Sequence, residues 1–469
     1  MRPFLMLLFG SIFSLPLLAQ SDIVGQWKGD IQVPGGKLGV IVFLETGPEG
    51  LSCKMDVPMQ RAKGIVAEKT SFSENSLDIQ FGSLAANYTG ALQKSGIIKG
   101  TWTQNGMSFP LDLERFTGET TLERPQHPKP PYPYQIEEIK VQVGEPETHS
   151  IAGTLTIPEG EGPFPTAVMV SGSGPQDRDE TLLGHKPFWV IADYLSRNGI
   201  AVFRYDDRSV GESTGDFASA TTLDFKEDAI AVLREIAKHE KTDQSQIGII
   251  GHSEGGLISA LAASRHNEVK FIVMLAGPGV TGHEILKRQI RDISLAEGID
   301  KKTLKKASNL NAEVIDLARA EGDMDEQKQK AKEKFRHHYE TVLTDEERAE
   351  AGDFDLLFQT RIQPLFTPWM KTFLNLDPRK YIERISCPVL ALIGGKDTQV
   401  SPQVNIPALT AALDAAPTTE WTVRELPDLN HLFQKSRTGA PSEYGEKIET
   451  FNQEVLVLIR NWIKDLPPN

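Results

Sequence analysis

Ile247-Gly248-Ile249-Ile250-Gly251-His252-Ser253-Glu254-Gly255-Gly256-Leu257-Ile258-Ser259-Ala260-Leu261-Ala262-Ala263 is the stretch from which the fold can be read. Residues 247–250 form an apolar run, as a strand buried on both faces does. The run from Gly256 onward is apolar and rich in small residues, and reads as the start of a helix. Between them stands Gly-x-Ser-x-Gly, a pattern that places its serine on a sharp strand-to-helix turn. Gly251 and Gly255 leave room for strand and helix to approach closely. The Ser253 hydroxyl then projects from the carboxyl edge of a sheet, and the helix N-terminus behind it favours developing negative charge. The pattern by itself is common; its position between a strand and a helix carries the argument.

Similar apolar runs recur on both sides: Thr166 to Val170, Ile200 to Arg204, Phe271 to Leu275 and Val389 to Ile393. Trp421 to Leu426 is less apolar and reads as an edge strand. Glu138 to Val143 and Ile151 to Ile157 pair as an antiparallel hairpin. Amphipathic helices alternate with these runs. One spans Thr222 to His239 with a stripe of Phe225, Ala229, Leu233 and Ile236; the last carries Ile448, Phe451, Val455, Leu458 and Trp462. Uniformly apolar strands suit a parallel sheet covered on both faces. The expected architecture is a doubly wound α/β sheet built from residues 136–279 and 381–469, with its site at the strands' carboxyl ends.

Residues 280–380 interrupt that pattern. Much of this insertion is charged and helix-like, as in Asp325-Glu326-Gln327-Lys328-Gln329-Lys330-Ala331-Lys332-Glu333, and the charges read as a solvated helical face. Phe354 to Phe373 is more apolar, with Leu357, Phe358, Leu365, Phe366, Trp369 and Met370. Placed over the carboxyl edge, the insertion is a candidate lid.

The N-terminal part is different. Residues 1–19 resemble a cleaved export signal, with Arg2, an apolar run from Phe4 to Leu18, and Leu17-Leu18-Ala19 before Gln20. The run is short for a membrane span, so a periplasmic or secreted protein without stable membrane insertion is expected. Residues 22–117 read as a small all-β barrel or sandwich, with the strong strand Leu38 to Leu44 and turn signals at Gly47-Pro48-Glu49-Gly50 and Ser73-Glu74-Asn75-Ser76. Trp27 and Trp102, each following Gly-x, are expected to plug its core. Residues 118–135 are a Pro-rich linker. The chain has 469 residues and a formal net charge of -14, one unit more negative once Arg2 is removed. That balance argues against nucleic acid and anionic membrane surfaces as partners. Cys53 and Cys387, the two cysteines, fall in different expected domains and read as buried thiols.

A serine nucleophile needs a base, and the base needs a group to orient it. Asp397 ends the strand-turn Ala391-Leu392-Ile393-Gly394-Gly395-Lys396-Asp397. His431 lies in Asp428-Leu429-Asn430-His431-Leu432-Phe433, after the last strand. Both follow strands at their carboxyl ends, in the chain order Ser, Asp, His. Asp428 is a fallback orienter. His252 lies inside the elbow, where its ring is expected to point away from the base. A tetrahedral intermediate needs two backbone donors. Glu254 N–H supplies one, and Ser171-Gly172-Ser173-Gly174-Pro175-Gln176-Asp177-Arg178-Asp179 the other, with Ser173 preferred and Gly172 second. The histidines form no His-x-x-x-His or His-Glu-x-x-His arrangement, so metal catalysis has no support.

Residues 136–466 resemble bacterial α/β-hydrolase esterases related to the serine aminopeptidase and proline iminopeptidase group. The resemblance rests on Ser171 to Asp179, Arg204-Tyr205-Asp206-Asp207-Arg208-Ser209-Val210-Gly211-Glu212-Ser213, the elbow, Gly394-Gly395-Lys396-Asp397 and Asn430-His431. The family usually has His at the position of Ser171 and Gly at that of Ser209. The resemblance implies an α/β-hydrolase sheet with a helical cap, with Asp206, Asp207 and Arg208 as a structural charge cluster. The expected activity is that of an exported serine hydrolase cleaving small-molecule carboxylic esters through an acyl-enzyme, without metal or organic cofactor. A serine aminopeptidase acting on peptide N-termini is the alternative within the fold. An inactive binder of envelope glycans is the alternative outside it. Nothing in the sequence sets an oligomeric state.

Overall fold

The computed structural model describes residues 23–33, 36–47, 50–57, 62–104, 107–116, 124–144 and 148–467. The expected export signal and the start of the linker lie outside the described residues. The chain divides near residue 120 into two compact units.

The first unit is wholly β. Its strands are β1 (Gly25–Val33), β2 (Gly36–Gly47), β3 (Gly50–Val57), β4 (Ala62–Val66), β5 (Lys69–Ser73), β6 (Ser76–Phe81), β7 (Ala86–Leu92), β8 (Ile97–Gln104), β9 (Met107–Pro110) and β10 (Leu113–Phe116). They form one antiparallel sheet in the order β4-β3-β2-β1-β10-β8-β7-β6-β5, with β9 on β8. The two end strands are consecutive in the chain. Between them Ala67 N–H donates to Cys53 O, and Glu68 N–H to Gln80 O, so the sheet curls round on itself. Side chains alternate in and out: Leu77, Ile79 and Phe81 of β6 face the core, as do Trp27 and Trp102. Trp27 Nε1 donates to Ile23 O at 2.8 Å, which satisfies the indole inside an apolar core. Tyr88 lies across the paired Gly90 and Gly100, where a Cβ on either glycine would meet its hydroxyl at 2.4 Å.

The second unit carries eight strands: β11 (Tyr134–Val143), β12 (His149–Pro158), β13 (Phe164–Val170), β14 (Ala201–Tyr205), β15 (Thr242–His252), β16 (Ile272–Leu275), β17 (Val389–Gly394) and β18 (Trp421–Leu426). Their order is β11-β12-β14-β13-β15-β16-β17-β18, with β18 at the edge as expected. β12 runs antiparallel to both its neighbours, and β14 to β18 and β13 pair in parallel. The chain leaves β13 toward β14 and leaves β15 toward β16, in opposite directions across the sheet. The crevice at this switch point lies between the carboxyl ends of β13 and β15, where doubly wound sheets place their ligands.

Helices cover both faces. α1 (Pro187–Ser196), α2 (Thr222–Ile236) and α3 (Glu254–Ala263) precede the insertion. The insertion holds α4 (Gly282–Ala296), α5 (Lys301–Arg319), α6 (Met324–Thr341), α7 (Asp345–Ala351), α8 (Phe354–Leu357), α9 (Pro368–Asn375) and α10 (Arg379–Ile382), and α11 (Pro402–Asp414) and α12 (Gln453–Asp465) follow it. Ala229 and Leu233 of α2, Ile258 of α3 and Leu409 of α11 share one core; Phe188 and Leu195 of α1 and Val455 and Ile459 of α12 share the other. Two helix boundaries differ from expectation. α2 ends at Ile236, not His239. α12 begins only at Gln453, because the Asn452 side chain caps it by accepting from Glu454 N–H. Ile448 therefore precedes the helix and is exposed, while Val455, Leu456, Ile459 and Ile463 are the residues that α12 buries.

The insertion folds around its own apolar cluster, including Leu310, Val314, Ile315, Phe358, Ile362 and Phe366. α6 buries only Ala331, so its charges are solvated. Among the described residues no helix is long and apolar enough to cross a membrane. Cys53 is buried and Cys387 half-buried; both are free, and burial pushes each thiol up to about 12.

Candidate active site

Ser253 joins β15 to α3 with φ 54° and ψ −117°, a conformation that side-chain-bearing residues rarely adopt. Such strain costs on the order of 1–3 kcal/mol and persists only where the surroundings enforce it. Here they do. Ser253 N–H is pinned to Leu275 O at 2.8 Å. A Cβ on Gly251 would lie 2.0 Å from Gly255 O, and one on Gly255 would lie 2.0 Å from Val170 O. Only glycine permits α3 to press against β15 and β13 at this distance.

Asp397 follows β17 and His431 follows β18, and the fold brings the two together. Asp397 Oδ1 accepts from the N–H groups of Gln399 and Val400, both at 2.8 Å, which leaves Oδ2 aimed at His431 Nδ1, also 2.8 Å away. His431 is carried on a short loop tied by Asn430, whose Oδ1 accepts from Leu432 N–H and Gln434 N–H at 3.0 and 2.9 Å. Asp397 and His431 are both buried, whereas Asp428 is exposed and makes no bond to His431. Among the described residues no hydrogen bond reaches the Ser253 hydroxyl. In an unliganded hydrolase such a contact commonly forms only with substrate.

The loop after β13 lies against the serine: a Cβ on Gly172 would be 3.3 Å from Ser253 Cβ. Gly172 N–H is already engaged, donating to Glu180 Oε1 at 2.7 Å. Among the described residues the N–H groups of Ser173 and Glu254 donate to no acceptor. Asp206, Asp207 and Arg208 brace this region through separate partners. Asp206 accepts from Arg178 N–H at 2.8 Å and from its guanidinium. Asp207 accepts from Ser171 Oγ at 3.1 Å and Gln176 N–H at 2.9 Å. Arg208 pairs with Asp228. Burial pushes the Asp207 carboxyl well above the usual range, although its hydrogen bonds act the other way. Ser209 has φ 61°, a left-handed backbone region that glycine enters without strain.

Three features were missed in the sequence. His252 does not point away from the base: its ring sits 4.9 Å from that of His431, and its Nε2 lies 3.0 Å from His431 O. Glu180, with φ 51°, reaches His252 Nδ1 at 2.8 Å. Its only signal was its place directly after the Ser171 to Asp179 loop. Glu254 buries its carboxyl between Thr222 Oγ1 at 2.6 Å and Trp369 Nε1 of α9 at 2.8 Å; burial raises its pKa, against those two bonds. The insertion thus touches the residue next to the serine, and Trp369 stacks on Phe373, which packs on Leu257 and Leu261 of α3 with Leu376.

A family model described as serine aminopeptidase, S33, matches residues 188–435, more than half of the chain. Esterase EstD of Thermotoga maritima is 28% identical over 253 residues, which cover 54% of this chain and 51% of EstD, so the chain spans about half of that relative's length. An uncharacterized 31.7 kDa protein of Escherichia coli is 24% identical over 263 residues, 55% of this chain and 80% of its own. Among solved structures, the Pyrococcus furiosus esterase Pf2001 is similar with a TM-score of 0.44 at 15% identity, over 74% of this chain and 98% of that one. The strained serine turn, the buried His–Asp pair and the family match converge: the chain belongs to the serine aminopeptidase S33 family of α/β-hydrolases.

Proposed function

We propose that this hydrolase is a serine carboxylesterase. Ser253 attacks an ester carbonyl; His431 takes its proton and returns it to the leaving alkoxide; Asp397 holds the imidazole. The Glu254 and Ser173 N–H groups stabilise the oxyanion, and water then releases the acyl group. The observation that carries this reading is the 2.8 Å bond from His431 Nδ1 to a carboxylate already fixed by two backbone donors. That bond sets the tautomer a general base needs. The substrate is a small-molecule ester, and the helical insertion acts as a cap over it. Support for the cap comes from Trp369, which reaches the residue next to the serine. Support for an ester comes from EstD, a relative named as an esterase.

The aminopeptidase reading needs an acidic side chain free to bind a substrate amine. The acid nearest the serine in sequence, Glu254, is already held by Thr222 and Trp369. Turnover of p-nitrophenyl acyl esters against aminoacyl p-nitroanilides tests the choice. Ester turnover at least tenfold above anilide turnover is expected, and the reverse order would replace this reading with the peptidase. The leader-like residues 1–19 support export to the periplasm or medium; a mature N-terminus at Met1 in protein recovered from cells would remove that part.

A further inference from the structure

Behind the serine lies a second buried His–carboxylate pair that the proposed chemistry does not use. Glu180 Oε1 sits 2.8 Å from His252 Nδ1 and accepts Gly172 N–H at 2.7 Å. His252 Nε2 sits 3.0 Å from His431 O. The side chains of His252 and Glu180 are 8% and 7% exposed. A carbonyl oxygen has no proton to give, so Nε2 carries one. Nδ1 faces a Glu180 oxygen that also accepts a backbone N–H, and with Glu180 as a carboxylate Nδ1 carries the other. Burial by itself lowers the His252 pKa, yet Glu180 and the two hydrogen bonds raise it on balance.

The connectivity gives this pair its meaning. Gly172 belongs to the loop after β13, which presents the Ser173 N–H. His252 precedes Ser253. His431 O belongs to the loop that carries the base. One charge-assisted chain of hydrogen bonds crosses the loop after β13, the end of β15 and the loop after β18. Asp397 fixes only the ring of His431; the Glu180–His252 pair fixes its main chain relative to the serine and the oxyanion loop.

We propose that Glu180 and His252 form a buried ion pair that acts as a positioning device, holding oxyanion loop, nucleophile and base in register. The proposal rests on the Ser253–His431–Asp397 reading. A device of this kind changes kcat rather than KM, because misplacement by about 1 Å can cost about 10²-fold in the chemical step.

The test uses the full chain with Glu180→Ala, Glu180→Gln, His252→Gln and the Glu180→Ala/His252→Gln double variant. The readouts are steady-state hydrolysis of p-nitrophenyl butyrate, the rate of fluorophosphonate labelling, and thermal melting. Glu180→Ala is expected to lower kcat about 10²-fold with KM within about threefold. Glu180→Gln, which keeps an acceptor but not the charge, is expected to fall between it and wild type. Members of one unit are non-additive, so the double variant should be no slower than the slower single variant. In wild type at neutral pH, ¹H–¹⁵N spectra should show protons on both ring nitrogens of His252. Folded Glu180→Ala with kcat within twofold of wild type would overturn the proposal, as would multiplicative losses in the double variant. If Glu180→Ala fails to fold, unchanged kcat in Glu180→Gln overturns it equally. Absence of wild-type labelling would instead remove the triad reading, and this proposal with it.

Discussion

His431 and His252 stand with their rings 4.9 Å apart, and each meets a carboxylate oxygen through Nδ1 at 2.8 Å. Both pairs are buried. They differ at the other nitrogen. His252 Nε2 is bound to the His431 carbonyl, whereas His431 Nε2 meets no partner among the described residues. The carboxylates differ as well: Asp397 is fixed by two N–H groups of its own loop, and Glu180 by one N–H from the loop beside the serine. A histidine with one nitrogen oriented and the other open can move a proton. A histidine with both nitrogens committed can only hold things in place. In the proposed mechanism the open second nitrogen, and not proximity to Ser253, is what singles out His431 as the base.

The comparison can be broken at either pair, and the largest effect belongs to the pair with the open nitrogen. His431→Asn is expected to lower kcat for p-nitrophenyl esters by on the order of 10⁴-fold in protein that is still folded. A variant that keeps a tenth of wild-type turnover would remove His431 as base. Asp397→Asn should come close, at about 10³- to 10⁴-fold, because the imidazole loses its fixed tautomer; a loss confined to KM would contradict that role. The Glu180 variants described above rank next.

Trp369→Phe is a smaller perturbation. It keeps the ring stacked on Phe373 but removes the donor to the buried Glu254, at a stability cost of about 1–3 kcal/mol. It should change KM with acyl-chain length more than kcat. Equal effects on short and long acyl chains would separate α9 from substrate binding.

The smallest effect concerns Asp207, whose pKa is raised well above the ordinary carboxyl value in the folded state. Above the ordinary value the unfolded chain is ionised while the folded state still binds a proton. Stability is therefore lost as pH rises from the ordinary carboxyl range toward the folded pKa. Asp207→Asn should flatten that slope of melting temperature against pH; an unchanged slope would show that Asp207 is ionised in place.

The strands of the second unit were legible because uniformly apolar runs have few alternatives once they alternate with amphipathic segments. Ser253, Asp397 and His431 were legible as candidates because each follows a strand at its carboxyl end. The last helix was misjudged because Ile448 and Phe451 continue its apolar spacing although Asn452 caps the helix after them. Glu180 and His252 were hidden for another reason. Nothing in the spacing of positions 172, 180, 252 and 431 reveals that three loops meet. That meeting depends on the order of β13, β15 and β18 in the sheet.

The central claim is that Ser253 is the activated nucleophile of this constellation. Treatment of the intact protein with a fluorophosphonate probe, followed by peptide mapping, tests it most directly. A single adduct on Ser253 is expected, formed at a rate that collapses in His431→Asn. No adduct, an adduct on another serine, or labelling at the same rate without His431 would contradict it.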